Sequence, residues 1–260
     1  MSGPFDLDLR RKRRDRAARK GSVTYLYDRA LEDLVDRLDM VRRDFPRALL
    51  VGCPDPRLAE RLASRVGRLD VVDPSLEMAQ AACGVACDEE ALDVQPGSYD
   101  LVVSLGLLAD ANDIAGALLR MRFALAKDGL LLGALAGGDS LPALRTSMAS
   151  ADAIIGRASP RIHPRIDPAG LTRLLSQAGF AMPVVDIDRV TVRFGGFDSL
   201  VADLRGMGAT NTLVERSRRP LGKQALQAAR NTFARLADED GKTPETIEIL
   251  YFTGWRDADG

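Results

Sequence analysis

Three positions carry the chemistry that a first reading of the sequence offers. Gly52 closes the apolar run "RALLVG" (47–52), Asp73 closes "RLDVVD" (68–73), and Asp88 closes "GVACD" (84–88) with Glu89 beside it. A glycine at such a point lets backbone approach a ligand closely, because no Cβ intervenes. A carboxylate 21 residues later is spaced to accept hydrogen bonds from both hydroxyls of a ribose. A second carboxylate at the end of the next strand can accept from an adenine amino group. Ser104 to Gly106, after "YDLVVSL" (99–105), would floor the site. Read blandly, each strand-end aspartate is only a helix cap, and the joint placement is what favours a ligand.

The elements needed to position these residues can be read from periodicity. Four apolar runs (47–52, 68–73, 99–105 and 130–135) read as buried strands, and 84–88 as a short one. Between them lie amphipathic stretches at 56–66, 75–83 and 112–125, with Ser75 and Asn112 or Asp113 as candidate caps. Continuous apolar strands alternating with helices indicate a parallel sheet covered on both faces, with ligands at the carboxyl ends of the strands. The fold class is therefore α/β.

The first turn decides between two nucleotide cofactors. A dinucleotide site wants G-x-G-x-x-G, and only Gly52 of that pattern is present, followed by Cys53-Pro54-Asp55-Pro56. S-adenosylmethionine has no pyrophosphate to cradle and asks less of the turn. Gly52, Asp73 and Asp88, with Glu89 and Ser104, supply what it needs, so these five are the expected cofactor contacts.

Bulk properties bound the rest. A net charge of -1 gives no global attraction for nucleic acid. No apolar run reaches the length of a membrane span, and no presequence with an apolar segment is present. Cys53, Cys83 and Cys87 are too few for a disulfide scaffold and fit a reducing, cytoplasmic compartment. With a single histidine, His163, no metal site is expected, and an iron site of two histidines and a carboxylate is excluded by counting. His163, in "SPRIHPRID", reads either as a turn residue between prolines or as a substrate contact. Asp167 reads as a helix cap for 168–178. The N-terminal stretch carries eight basic residues between Arg10 and Lys20. Asp6, Asp8 and Asp15 argue against a transit peptide. A solvated charged helix, a docking arm and a flap over the cofactor are the readings open for it.

Longer motifs carry a resemblance. "VVDPSLEMAQAA", "CDEEALDVQPGSYDLVVSLGLL" and "ALAKDGLLLGAL" resemble the successive motifs of class I S-adenosylmethionine-dependent methyltransferases. The flanks "FDLDLRRKRRDRAAR", "GGDSLPALRTSM", "SPRIHPRIDPAGLTRLLSQAGFAMPVVDIDRVTVRF" and "ETIEILYFTGW" resemble the methyltransferase-like assembly factors of respiratory complex I. Methyltransferases of biotin synthesis match these flanks less well. The resemblance runs from Phe5 to Trp255, leaves no room for an organelle presequence, and implies a bacterial relative.

The resemblance implies a Rossmann-like three-layer sandwich with a mostly parallel seven-stranded sheet and one antiparallel strand over 246–254. It implies an N-terminal helical cap (1–45) and a methyltransferase-like domain (46–260) with helical inserts near 137–160 and 197–240. Methyl transfer to a protein or a respiratory subunit is the implied activity. A non-catalytic assembly role and arginine hydroxylation are the alternatives. Departures lie in the first turn, which the family writes roughly as D-x-G-C-G-x-G. Leu50 stands for its acidic member, and Pro54 and Pro56 fall near its later glycines. Where the family tends to have an aromatic and a histidine after the fourth strand, this chain reads "LLADAND" (107–113). These changes predict weakened cofactor binding.

Overall fold

A computed structural model describes residues 3–257. The chain opens with two helices, α1 (Leu7–Lys20) and α2 (Tyr25–Met40). The alternating region follows: β1 (Arg47–Val51), α3 (Pro56–Ala63), β2 (Arg68–Asp73), α4 (Leu76–Ala81), β3 (Val85–Ala86), β4 (Tyr99–Leu105), α5 (Ile114–Ala124) and β5 (Leu125–Ala136). The remainder is α6 (Pro142–Ile155), α7 (Pro168–Gln177), β6 (Phe180–Phe194), α8 (Phe197–Gly206), α9 (Lys223–Arg235) and β7 (Thr243–Arg256).

The seven strands form one sheet in the order β3-β2-β1-β4-β5-β7-β6. β1 to β5 pair in parallel, and β7 runs antiparallel to both β5 and β6, so it is the single reversed strand. The strand order reverses between β1 and β4, at the carboxyl ends where Gly52 and Ser104 lie. Both faces are covered, which is why the central strands are apolar without alternation. Leu49, Val51, Val102 and Leu131 face α5 and α7, packing with Leu118, Met121, Leu171 and Leu175. Leu50, Val103 and Leu132 face the other layer, with Leu31, Leu34, Leu58, Leu62 and Phe233. Leu50, which stands where the family has an acid, is a fully buried core side chain. Burial of each such leucine contributes about 1.5–3 kcal/mol.

Local signals explain the boundaries. Ser75 caps α4 by accepting from the Met78 amide at 3.1 Å, and Asp113 caps α5 through Gly116 at 2.8 Å. Asp167 caps α7 through the Gly170 amide at 2.6 Å, as expected. Asp55 accepts from the Arg57 amide at 2.9 Å to cap α3, and Pro56 sits in its first turn. Proline is favoured there because that position's N–H has no partner in the helix. One expectation shifts. The third strand shrinks from 84–88 to two residues, with Asp88 starting a 3-10 turn over Glu89–Ala91. β5 begins before the expected 130–135 and carries an irregularity at Asp128-Gly129, with Asp128 at φ 58°.

Candidate functional site

The five residues read as cofactor contacts converge at the carboxyl end of the sheet. Asp73 and Glu89 are fully buried, and Asp88 and Ser104 nearly so. They do not face an open cleft. Helix α1 lies across them and presents Arg10 and Arg14, both buried, on one side.

Asp73 is saturated. Its Oδ1 accepts from Arg14 Nε at 3.1 Å and from the Ser75 amide at 2.8 Å. Its Oδ2 accepts from Arg14 Nη2 and, at 2.9 Å, from the Cys53 amide. A carboxylate offers about four lone-pair sites, and all are used. Arg10 forms a fork on Glu89, with Nη1 on Oε1 at 2.6 Å and Nη2 on Oε2 at 2.9 Å. The same Nη2 donates to Asp88 Oδ1 at 2.8 Å, and Arg11 Nε donates to Asp88 Oδ2 at 3.0 Å. Burial pushes the Arg14 guanidinium down, but Asp73 outweighs it and raises the group above its ordinary value. Arg10 is likewise raised by Glu89 and Asp88 against the cost of burial. Arg10, Arg11 and Arg14 thus meet carboxylates at the ends of β2 and β3, while Lys12, Arg16, Arg19 and Lys20 stay exposed, so only the outer face of the helix is solvated.

Gly52 has φ 95°, a conformation that disfavours a side chain. A Cβ there would lie 2.4 Å from the Leu105 carbonyl oxygen and 3.0 Å from Leu107 Cγ, so the close approach is to the end of β4 and the turn after it. Ser104 Oγ is buried without a hydrogen-bond partner. Between α1 and the sheet, a space of about 20 Å³ remains, lined by Arg10, Arg14, Tyr27, Gly106, Leu107 and Asp110 among others. That holds about one water molecule. An adenosyl group does not fit these residues while α1 is seated.

A larger cavity of about 110 Å³ adjoins it beyond Tyr27 and Gly106, walled by Leu26, Ala134, Leu141, Ile247 and Ile249. Its polar side chains are Tyr27, Asp110, Ser140 and Arg165. Burial pushes the Arg165 guanidinium below its ordinary value, with Asp110 only partly restoring it.

His163 is buried and engaged on both nitrogens. Nε2 accepts the Thr212 amide at 2.9 Å, which leaves the ring proton on Nδ1, 2.6 Å from Asp110 Oδ1. Phe5 meets the ring edge-on, with centroids 5.1 Å apart. Neither nitrogen is free for a substrate, so the substrate-contact reading gives way to a structural one. Arg216, which with Arg218 and Arg219 forms a short basic stretch, also turns inward: it donates to the Leu213 carbonyl at 2.7 Å and to Asp6 at 3.1 Å.

Sequence reasoning missed Arg10, Arg14, Tyr27, Asp110 and Arg165 as site residues. A signal for the first two was present, since Arg10, Arg14 and Ala17 recur at helical spacing on one face.

Comparison with known proteins agrees with this architecture. Residues 49–133 match the protein family described as a methyltransferase domain. The zebrafish (Danio rerio) protein named arginine-hydroxylase NDUFAF5, mitochondrial, is 35% identical over 98% of this chain and 83% of its own length. The chain belongs to the NDUFAF5 family of methyltransferase-domain proteins. A malonyl-[acyl-carrier protein] O-methyltransferase of Laribacter hongkongensis is also similar to this NDUFAF5-family chain, 30% identical over 99% of it and 93% of the relative. A putative methyltransferase from Bacillus halodurans shares the fold, with TM-score 0.58 and 15% identity over 87% of this chain and 99% of that one. Among the described residues of this family member, no helix is long and apolar enough to cross a membrane.

Proposed function

We propose that the chain serves the assembly of respiratory complex I as an S-adenosylmethionine-dependent member of its family, acting on a protein partner in the cytoplasm. The observation that carries this is the placing of Asp73, Asp88 and Glu89 beside Gly52 at the reversal of strand order. An adenosyl ligand on this fold needs carboxylates there. The flank motifs from Phe5 to Trp255, which resemble complex I assembly factors, support the pathway. Gly52, Asp73, Asp88, Glu89 and Ser104 remain the contacts we assign to the cofactor, once α1 has moved.

Two observations favour other readings. The saturation of Asp73 by Arg14 favours a non-catalytic assembly protein on a methyltransferase fold. The 35% identity to a protein named an arginine hydroxylase favours oxygen transfer to an arginine. One experiment separates the three. Deleting the gene should abolish NADH-oxidising complex I on native gels. Mass spectrometry of the subunits restored on complementation then shows an added methyl, an added oxygen or neither. Complex I that assembles normally in the deletion strain refutes the assembly role.

A further inference from the structure

We propose that α1 is an internal competitor for the adenosyl site, so that seated helix and bound ligand exclude each other and the chain alternates between a cleft filled by arginines and an open one. The inference rests on the cofactor reading above and concerns how that site is controlled.

The guanidinium groups occupy the positions where the ligand's donors would act. Arg14 supplies two N–H donors to Asp73, as the two ribose hydroxyls would. Arg10 spans Asp88 and Glu89, where an adenine amino group would donate. Neither carboxylate site keeps a vacant oxygen facing the cleft. The binding-competent state is therefore the one in which α1 has left, and the apparent affinity falls by the fraction of molecules in that state.

The helix is held in a way that allows such exchange. Apart from its arginines, α1 buries only Ala17 within the helix. It is fastened at its two ends. At the front, Phe5 bridges to Leu213, Asn112 Oδ1 accepts the Phe5 amide at 2.8 Å, and the Asp6 amide donates to the Thr212 carbonyl at 2.8 Å. Towards the back, Ser75 Oγ donates to Asp15 at 2.6 Å. Gly21 follows with φ 89° and open space around it, a joint at which the helix can turn away from α2. The attachment is thus mainly ionic and polar. Buried carboxylates left without arginines carry a large penalty unless another set of donors replaces them. An adenosyl ligand brings such donors, whereas removal of α1 alone does not.

The test uses the full chain and S-adenosylhomocysteine in calorimetry. Arg14→Gln and Arg10→Gln, separately and together, keep side-chain bulk while weakening the plug. The double variant should bind at least tenfold tighter than the parent. In a Cys83→Ser background, Asp15→Cys with Ser75→Cys gives a tether that holds α1 down when oxidised. Oxidation should abolish binding, and reduction should restore it. Amide exchange over residues 7–20 should quicken when S-adenosylhomocysteine is added to the parent. Equal affinity in parent and double variant, or binding by the oxidised tether, overturns the competitor while leaving the cofactor reading intact. Absence of binding in every form, including folded double variant at millimolar ligand, overturns the cofactor reading and the competitor with it. Should the arginine variants fail to fold, the tether and the exchange measurement decide.

Discussion

His163 Nδ1 donates to Asp110 Oδ1 across 2.6 Å, joining the turn after β4 to the loop before α7. The Thr212 amide on the opposite nitrogen and the Phe5 ring against the imidazole edge bring in two further segments. The one histidine of the chain therefore ties the N-terminal strap to the sheet.

His163→Ala should destabilise the protein by about 2–4 kcal/mol. The change removes a charge-assisted bond of about 1.5–3 kcal/mol and leaves the Thr212 amide buried without its acceptor. Urea unfolding measures this. A loss below about 0.5 kcal/mol refutes the keystone role.

Asp110 gives a pH dependence. Burial pushes its carboxyl up, but His163 and Arg165 outweigh that and hold it below its ordinary 3.8. A lowered folded value means stability that is fully present above the unfolded value and is lost as pH falls through the folded one. Asp110→Asn should therefore lower stability at neutral pH and flatten its decline below about pH 4. An unchanged acid limb in pH-dependent melting contradicts this.

The Arg14 and Asp73 pair should behave as a coupled unit. Asp73→Asn leaves the Arg14 charge buried beside a neutral amide and should cost about 3–5 kcal/mol. Adding Arg14→Met to that variant should recover a large part of the loss, since an apolar side chain needs no partner. Strictly additive losses in urea titrations argue against direct coupling.

Pro56→Gly tests the turn. The resemblance puts Pro54 and Pro56 near glycines of the family's cofactor turn and implies that they weaken cofactor binding. The structure places Pro56 in the first turn of α3 behind the Asp55 cap, and Gly52 is closed by Leu105 and Leu107. The expected outcome is a loss of about 0.5–1 kcal/mol from the helix start, with no gain in S-adenosylhomocysteine affinity. Calorimetry together with thermal melting reads both.

The burial of α1 arginines bears on any test of α1 as a docking arm. Reversing Arg10, Arg13 and Arg14 together is no surface experiment, because Arg10 and Arg14 lie buried against carboxylates. Arg13 is only partly buried and donates to the Asn211 carbonyl, its guanidinium pushed down to about 10 by burial and by Arg216 and Arg16 nearby.

The sequence alone determined the layered parallel sheet, while its reversed last strand was what the family resemblance implied. Continuous apolar runs, caps such as Ser75, Asp113 and Asp167, and the spacing of Gly52, Asp73 and Asp88 are local patterns, legible without coordinates. It also showed that α1 is basic, but not which charges the helix meets. That is a matter of contacts over 59 residues for Arg14 with Asp73 and 79 for Arg10 with Glu89. Isolated carboxylates at strand ends read as open to a ligand, because composition and periodicity carry no record of what packs above them. Only the tertiary structure decided that arginines of the chain's own first helix fill that place. The physical reason is that a charge taken out of water must find its opposite nearby, and the nearest opposite was supplied by a segment remote in sequence.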